Sequence, residues 1–336
     1  EIHISWASST DDGVVRGYQL FRNGALLQDT QNTEYIDTSV NQETQYCYHT
    51  RAYDAAGNLS ESSNEACITP GWTLTPIDNQ GSTLPSDSAL ALDPSGNVHI
   101  AYLDGTFTGS NQRVDDLKYA TNMSGAWAIE VIDDFAEAWS DVSITTSPDG
   151  STHISYTDKS SYLKYTTNSS SGWATEYIDS DVNTGSDSSI VTDSLGSVHI
   201  AYGLGELRHA TSISGTWQSE IVDTNGPVGY FIDIAIDSSD KVHISYYMID
   251  TGDLRYATNA SGLWFVDTID SLSEIGYGSS IAADSSGKVH VCYHDRPNGN
   301  LRYATNTIGS WKTVVVDNVG DVGRGCSSVS YTHLRA

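Results

Sequence analysis

Apolar and polar positions alternate along this chain in short runs of four to eight residues, broken by Gly, Asn, Asp and Ser. That is the period of half-buried strands. In the first seventy residues the runs are IHISW (2–6), GYQLFRNGALL (17–27), TEYID (33–37), ETQYCYHTRAYD (43–54) and SNEACIT (63–69), with Asn23-Gly24 a hairpin turn. From residue 72 a second rhythm takes over. A tryptophan is followed six residues later by an aspartate at Trp72/Asp78, Trp127/Asp133, Trp173/Asp179, Trp217/Asp223, Trp264/Asp270 and Trp311/Asp317. Successive tryptophans lie 55, 46, 44, 47 and 47 residues apart. A period of this size with four strand signals inside it predicts a β-propeller.

The fifth period illustrates the unit: SSIAAD (279–284), KVHVCYHD (288–295), LRYATN (301–306) and WKTVVVD (311–317). Between first and second strands lies an Asp-x-x-Gly turn, with Asp240 replacing the glycine in the fourth unit; the last position of this turn requires a positive φ. Counting from first strand to fourth gives blades at about 86–133, 139–179, 186–223, 230–270 and 277–317. Two pieces remain, 72–78 and 325–329. A ring stitched from both ends hides its sheet edges, so these pieces are expected to share a closing blade. The predicted fold is all-β: an immunoglobulin-like β-sandwich over 1–70 and a β-propeller over 71–329, five blades complete and a sixth partial. Residues 330–336 break the repeat and read as a tail, with adapter-derived read-through as one explanation. The chain opens inside a strand pattern without Met, as a mature product or a fragment does.

The string ISW…GYQLFRNG…YCYHTRAYDAAGNLSESSNEA resembles a fibronectin type III domain over residues 1 to about 69, with that family's first strand missing. The resemblance places Trp6 and Tyr46 in the sandwich core and implies a spacer or docking module. No Arg-Gly-Asp string is present, so no adhesion role carries over. The VHIAY…LKYATN…W repeat resembles secreted bacterial propellers and, more distantly, the sialidase-like group. A sialidase-like or other glycoside-processing enzyme is the alternative this implies, and it demands three arginines converging on a carboxylate. Of the arginines after residue 70, Arg208, Arg255 and Arg302 recur at one strand position, which leaves Arg113, Arg296 and Arg324 outside the repeat besides Arg335 in the tail. The Ser-x-Asp-x-Gly-x-Thr-Trp box is absent, and no serine-hydrolase elbow or phosphate loop occurs. The reading is therefore a non-catalytic binding module of a larger secreted protein.

Charge narrows the partners. The formal net charge is −27, which disfavours nucleic acid and anionic membrane surfaces. The acids are spread, 10 against 3 bases in residues 1–70 and 33 against 13 in the rest. No apolar run reaches membrane-spanning length. Cys47 and Cys67 fall on two strands joined by a short connection, where a cross-strand disulfide suits an extracellular or cell-surface setting. Cys292 fills a slot that Ala or Ser fills in other repeats, as a small core residue does; a bridge to Cys326 is the less expected arrangement. The expected partner is an extracellular glycan or protein, bound by a monomeric module within a longer chain.

Recurrence separates frame from site. His99, His153, His199, His243 and His290 share one position, as do Lys118, Lys164, Arg208, Arg255 and Arg302. Such residues sit a blade apart and read as structure: the histidines as hydrogen-bonded groups, the bases as partners of their own blade's outer aspartate, the tryptophans as packing between blades. Function is then sought in what does not repeat. The connections around the axis carry Phe135, Trp139, Tyr230 and Tyr277, with Arg113 and Arg296 in second-to-third loops. Rings beside guanidinium groups suit a sugar or peptide platform. No cofactor is expected, calcium being the alternative through Asp87, Asp141 and Asp187 at one step of the inner strand.

Overall fold

The computed structural model divides into two compact units, Glu1–Pro76 and Ile77–Ala336. It describes residues 1–9, 14–71, 75–78, 87–107, 113–134, 142–158, 160–168, 172–179, 187–203, 205–213, 215–228, 230–272, 274–307 and 309–328. Among these every regular element is a strand. In the first unit Ile2–Ser5 pairs with Glu34–Asp37, and Ala25–Thr30, Val15–Arg22, Tyr46–Asp54 and Ala66–Ile68 form a second, four-stranded sheet. Ile2, Leu20, Tyr46 and Tyr48 are buried between the sheets, with Ile4, Trp6, Leu27, Tyr35 and Val40 packed on them. This is a small sandwich whose core follows from the alternation of its strands. Cys47 faces Cys67 in register and the two are disulfide-bonded.

The second unit holds five four-stranded antiparallel sheets, each running in chain order. Their inner strands are Ser88–Leu92, Ser143–Thr146, Ser188–Thr192, Asp233–Ile236 and Ile275–Ala283. Each inner strand lies against that of the next blade, which sets the strands around an axis. The Asp-x-x-Gly turns close as expected, with φ of +82° at Gly96, +85° at Gly196, +73° at Gly287 and +56° at Asp240. One expectation fails at blade 1. Residues 103–116 read as a loop, but Val98–Phe107 and Arg113–Thr121 continue their ladder out to Phe107 and Arg113. Its alternation is masked by acidic and glycine positions, so the hairpin is carried by backbone pairing.

Three repeated links hold blade to blade. The second-strand tyrosine and the third-strand base both reach the outer aspartate of the preceding blade: Tyr156 and Lys164 reach Asp133, Tyr202 and Arg208 reach Asp179, and Tyr293 and Arg302 reach Asp270. In blade 4, Tyr246 donates to Asp223 at 2.7 Å. The expected pairing within one blade is thus corrected. In sequence register the aspartate sits beside its own base (Asp179 opposite Leu163), but the carboxylate is used by the blade that follows. Tyr156, Tyr202, Tyr246 and Tyr293 are fully buried, and burial is tolerable because each phenol has this acceptor. Asp78 receives Tyr102 and Lys118 of blade 1 in the same way. Asp78 therefore plays for blade 1 the part that each outer aspartate plays for the blade after it; Trp72 lies outside the described residues.

The tryptophans make the second link. Trp173, Trp217 and Trp311 pack edge-on against Tyr119, Tyr165 and Tyr256 of the preceding blade, and Trp264 against His209. Trp173 and Trp217 also donate to Glu130 and Glu176. The third link is along the inner strands, where Ile190 N donates to Ser143 Oγ and Ile281 N to an Asp233 carboxylate oxygen. Ser328 N donates to Ser280 Oγ in the same way. Ser328 N thus makes to blade 5 the contact that an inner strand makes at the other seams. Within each blade the histidine bonds the third-strand ring, as His153 to Tyr165 and His243 to Tyr256, and faces the turn aspartate or serine.

Candidate functional site

The repeat departs most from itself where blades 4 and 5 meet residues 318–328. The inner-strand slot filled by Asp87 and Asp187 holds Phe231 in blade 4 and Gly278 in blade 5, one step before Ile232 and Ser279. Phe231 takes φ of +68°, a region bulky residues avoid. Its amide donates to the Asp187 carboxylate, which fixes the unusual backbone and turns the ring toward blade 5. Gly278 has φ of +56°, and a Cβ there would stand 3.1 Å from Gly325 N. The strand of blade 5 and the following segment approach closely at this point because that position has no side chain.

Phe231, Tyr277, Gly278, His294, Arg296, Arg324 and Gly325 line a cavity of about 280 Å³. The Tyr277 ring is tilted against Phe231 at 5.1 Å and against Tyr247 at 4.8 Å. Arg296 lies over the Tyr277 ring at 5.0 Å and donates to its hydroxyl at 3.1 Å. Burial, with a hydrogen bond to Tyr277, pushes the Tyr247 phenol well above its usual range, so it stays protonated. His294 is buried beneath the cavity and bonds Asp321 at 3.0 Å. The Arg324 guanidinium, then His294, hold the Asp321 carboxyl below its ordinary range. Arg296 and Arg324 are 54% and 72% exposed. Their pairs with Glu274 and Asp321 are surface pairs that a ligand exchanges at little cost.

Aromatic faces offer stacking to the C–H face of a sugar, and guanidinium N–H groups offer donors to its oxygens. Among the described residues, those that line the cavity include no carboxylate.

Two of the sequence candidates, Tyr277 and Arg296, come together here. Tyr230 is half exposed beside them, edge-on to Phe231 at 6.3 Å. Phe135, Trp139 and Asp141 lie outside the described residues. Arg113 is placed at the tip of the blade 1 ladder, it is not among the residues lining the cavity, and its side chain lies outside the description. Asp87 accepts Val142 N at 2.6 Å and Ser88 N, and Asp187 accepts Phe231 N and Ile232 N. The two described members of the calcium trio are therefore caps from one blade to the next. Among the described residues, the grouping of three Cys, His, Asp or Glu ligand atoms close enough for a metal is Cys47, Glu65 and Cys67, whose sulfurs are already joined.

Sequence reasoning missed Phe231 and His294 as site residues. Phe231 stands where an aspartate recurs, which was the available signal. Cys292 and Cys326 are disulfide-bonded, a correction to the reading of Cys292 as a plain core residue. That slot is a seam, and its partner lies across it in the segment after blade 5.

No protein-family model matches the chain. Among curated proteins, exoglucanase B of Cellulomonas fimi is 38% identical over 86 residues, 26% of this chain and 8% of that protein. Chitinase D of Niallia circulans is 38% identical over 80 residues, 24% of this chain and 15% of its own length. The chain thus matches only a small part of these relatives. Among solved structures, AofleA from Arthrobotrys oligospora superposes with a TM-score of 0.51 at 16% identity, over 82% of this chain and 83% of that one. A variant of the Aleuria aurantia lectin in complex with Fucα1-6GlcNAc gives 0.50 at 14% identity, over 72% and 82%. At these identities the likeness is one of fold: the chain is similar to propellers in architecture, and to polysaccharide-processing proteins over one short stretch.

Proposed function

We propose that this chain is a non-catalytic carbohydrate-binding part of a larger extracellular or cell-surface protein, and that the sugar sits in the cavity framed by Phe231, Tyr277, Arg296 and Arg324. The observation that carries the reading is that cavity: two aromatic rings and two exposed guanidinium groups converge where the repeat breaks, with no carboxylate among the described lining residues. The lectin with a shared fold and the exoglucanase and chitinase relatives support a glycan over a protein ligand. Two disulfides suit the oxidising setting. In this reading the propeller holds polysaccharide while a catalytic domain elsewhere in the whole protein acts on it. The test is a glycan array followed by calorimetric titration of the best glycan. Binding weakened about tenfold in Tyr277→Ala, with no turnover of chromogenic glycosides, is the expected result; turnover by the chain itself overturns it.

A further inference from the structure

One position across the seam between successive blades changes as a pair. It joins a second-strand residue to the inner strand of the next blade. Ala101 and Val142 share one buried apolar cluster, and so do Ala201 and Ile232. At the other two complete seams, Ser155 Oγ bonds Ser188 Oγ at 3.1 Å and Ser245 Oγ bonds Ser279 Oγ at 3.2 Å. At the seam beyond blade 5 the same two places are Cys292 and Cys326, and the link is covalent.

The covalent link falls where other fixings are weakest. None of residues 318–328 is buried, and they form no strand. Val319 is 80% exposed. The segment is tied by Val322 N to Gly299 O at 2.9 Å, Asp321 to His294, and Ser328 to Ser280 and to Cys292 N. Yet this segment supplies Arg324 and Gly325, one wall of the cavity, and Arg324 lies two residues from Cys326. Solvent-facing hydrogen bonds of this kind open readily when nothing apolar backs them.

We propose that the Cys292–Cys326 disulfide positions this wall, and that sugar binding in the cavity weakens when the bridge is reduced. The proposal rests on the reading of the cavity as a sugar site. The chemistry is ordinary exchange: a dithiol attacks one sulfur, the S–S bond opens to two thiols, and the dithiol leaves as its own cyclic disulfide with two electrons and two protons passed to the protein. Loss of the link returns to the wall the chain freedom that its loop closure had removed.

The fold itself supplies the variant. Cys292→Ser with Cys326→Ser installs the serine pair already used at two other seams and leaves Cys47–Cys67 intact. Two readouts are needed: hydrogen exchange at the Val322 amide, and calorimetric binding of Fucα1-6GlcNAc together with the best arrayed glycan. The expected result is Val322 exchange faster by about tenfold or more, and binding weaker by about tenfold, with Ile281 exchange and circular dichroism unchanged. Wild type treated with dithiothreitol should match it. Unchanged Val322 exchange, or equal binding by oxidised and reduced wild type, overturns the proposal. An oxidised wild type that binds no glycan sinks the sugar reading alone, and Val322 exchange still decides whether the bridge holds the wall.

Discussion

The inner-strand slot of blade 3 and that of blade 4 show how one position changes its work. In blade 3 it is Asp187, whose carboxylate takes the amides of Phe231 and Ile232 and locks the next blade in place. In blade 4 it is Phe231 itself, held at positive φ by that carboxylate, with its ring turned to the cavity. Asp187 faces backbone and Phe231 faces the cavity. The lesson is that the frame and the site are built from the same positions, and that the frame residue of one blade prepares the site residue of the next.

Breaking the frame should cost most. Asp223→Asn leaves the buried Tyr246 phenol without its carboxylate and removes the charge opposite Arg255. Loss of one member of a buried ionic group costs about 3 kcal/mol, read as a lower denaturant midpoint at unchanged m-value. The sugar affinity of the folded fraction should not change, because Asp223 does not line the cavity.

Acid should act on the frame in a second way. Burial lowers the pKa of His153 to about 4, and burial followed by the neighbouring His209 lowers that of His199 to about 4. A base with a depressed folded pKa binds its proton more readily when unfolded. Stability is then full above the ordinary histidine value and falls as pH drops from about 6.5 to about 4, by roughly 3 kcal/mol for one such histidine. Chemical denaturation across that range should show the loss, and His153→Asn should reduce it by about 3 kcal/mol while the share of His199 remains; a wild type equally stable at both ends contradicts the assignment.

Breaking the site should act on binding alone. Tyr277→Ala removes the ring against which Phe231, Tyr247 and Arg296 are set. Affinity should fall by about tenfold, near the value of one aromatic contact with its area, while the melting temperature stays within a degree or two. The smallest effect tests the slot comparison from the other side. Asp233 occupies a position held by Ser143, Ser189 and Ser280 in blades 2, 3 and 5. Burial pushes its carboxyl above the usual range, although Ile281 N and Ser189 Oγ donate to it. A raised carboxyl pKa means that ionisation opposes folding, so stability declines as pH rises toward neutral. Asp233→Ser keeps an acceptor for Ile281 N and should gain about 0.5 kcal/mol at pH 7; a loss there would show that the charge itself is needed.

The blades were legible because four strands and a turn recur with fixed spacing, and a recurring Trp or His in a ring must be structural. What recurrence cannot reveal is which neighbour a group faces. Asp179 lies beside Lys164 in the hairpin register but pairs with Arg208 of the next blade, since side chains on an outer strand lean across the seam. The site was half legible. Tyr277 and Arg296 stood out as non-repeating, but Phe231 was hidden by its apolar neighbours in YFIDIAID, and His294 by the histidines of the frame. Cys292 was misread for the same reason: its pairing depends on a segment across the seam, 34 residues away.

The central claim is that binding belongs to one non-repeating corner and not to the repeated blades. Calorimetric titration of the intact chain with its best arrayed glycan tests this through stoichiometry. The account predicts about one site per chain, abolished or weakened in Tyr277→Ala. A stoichiometry near the number of blades, or one site indifferent to Tyr277, would contradict it.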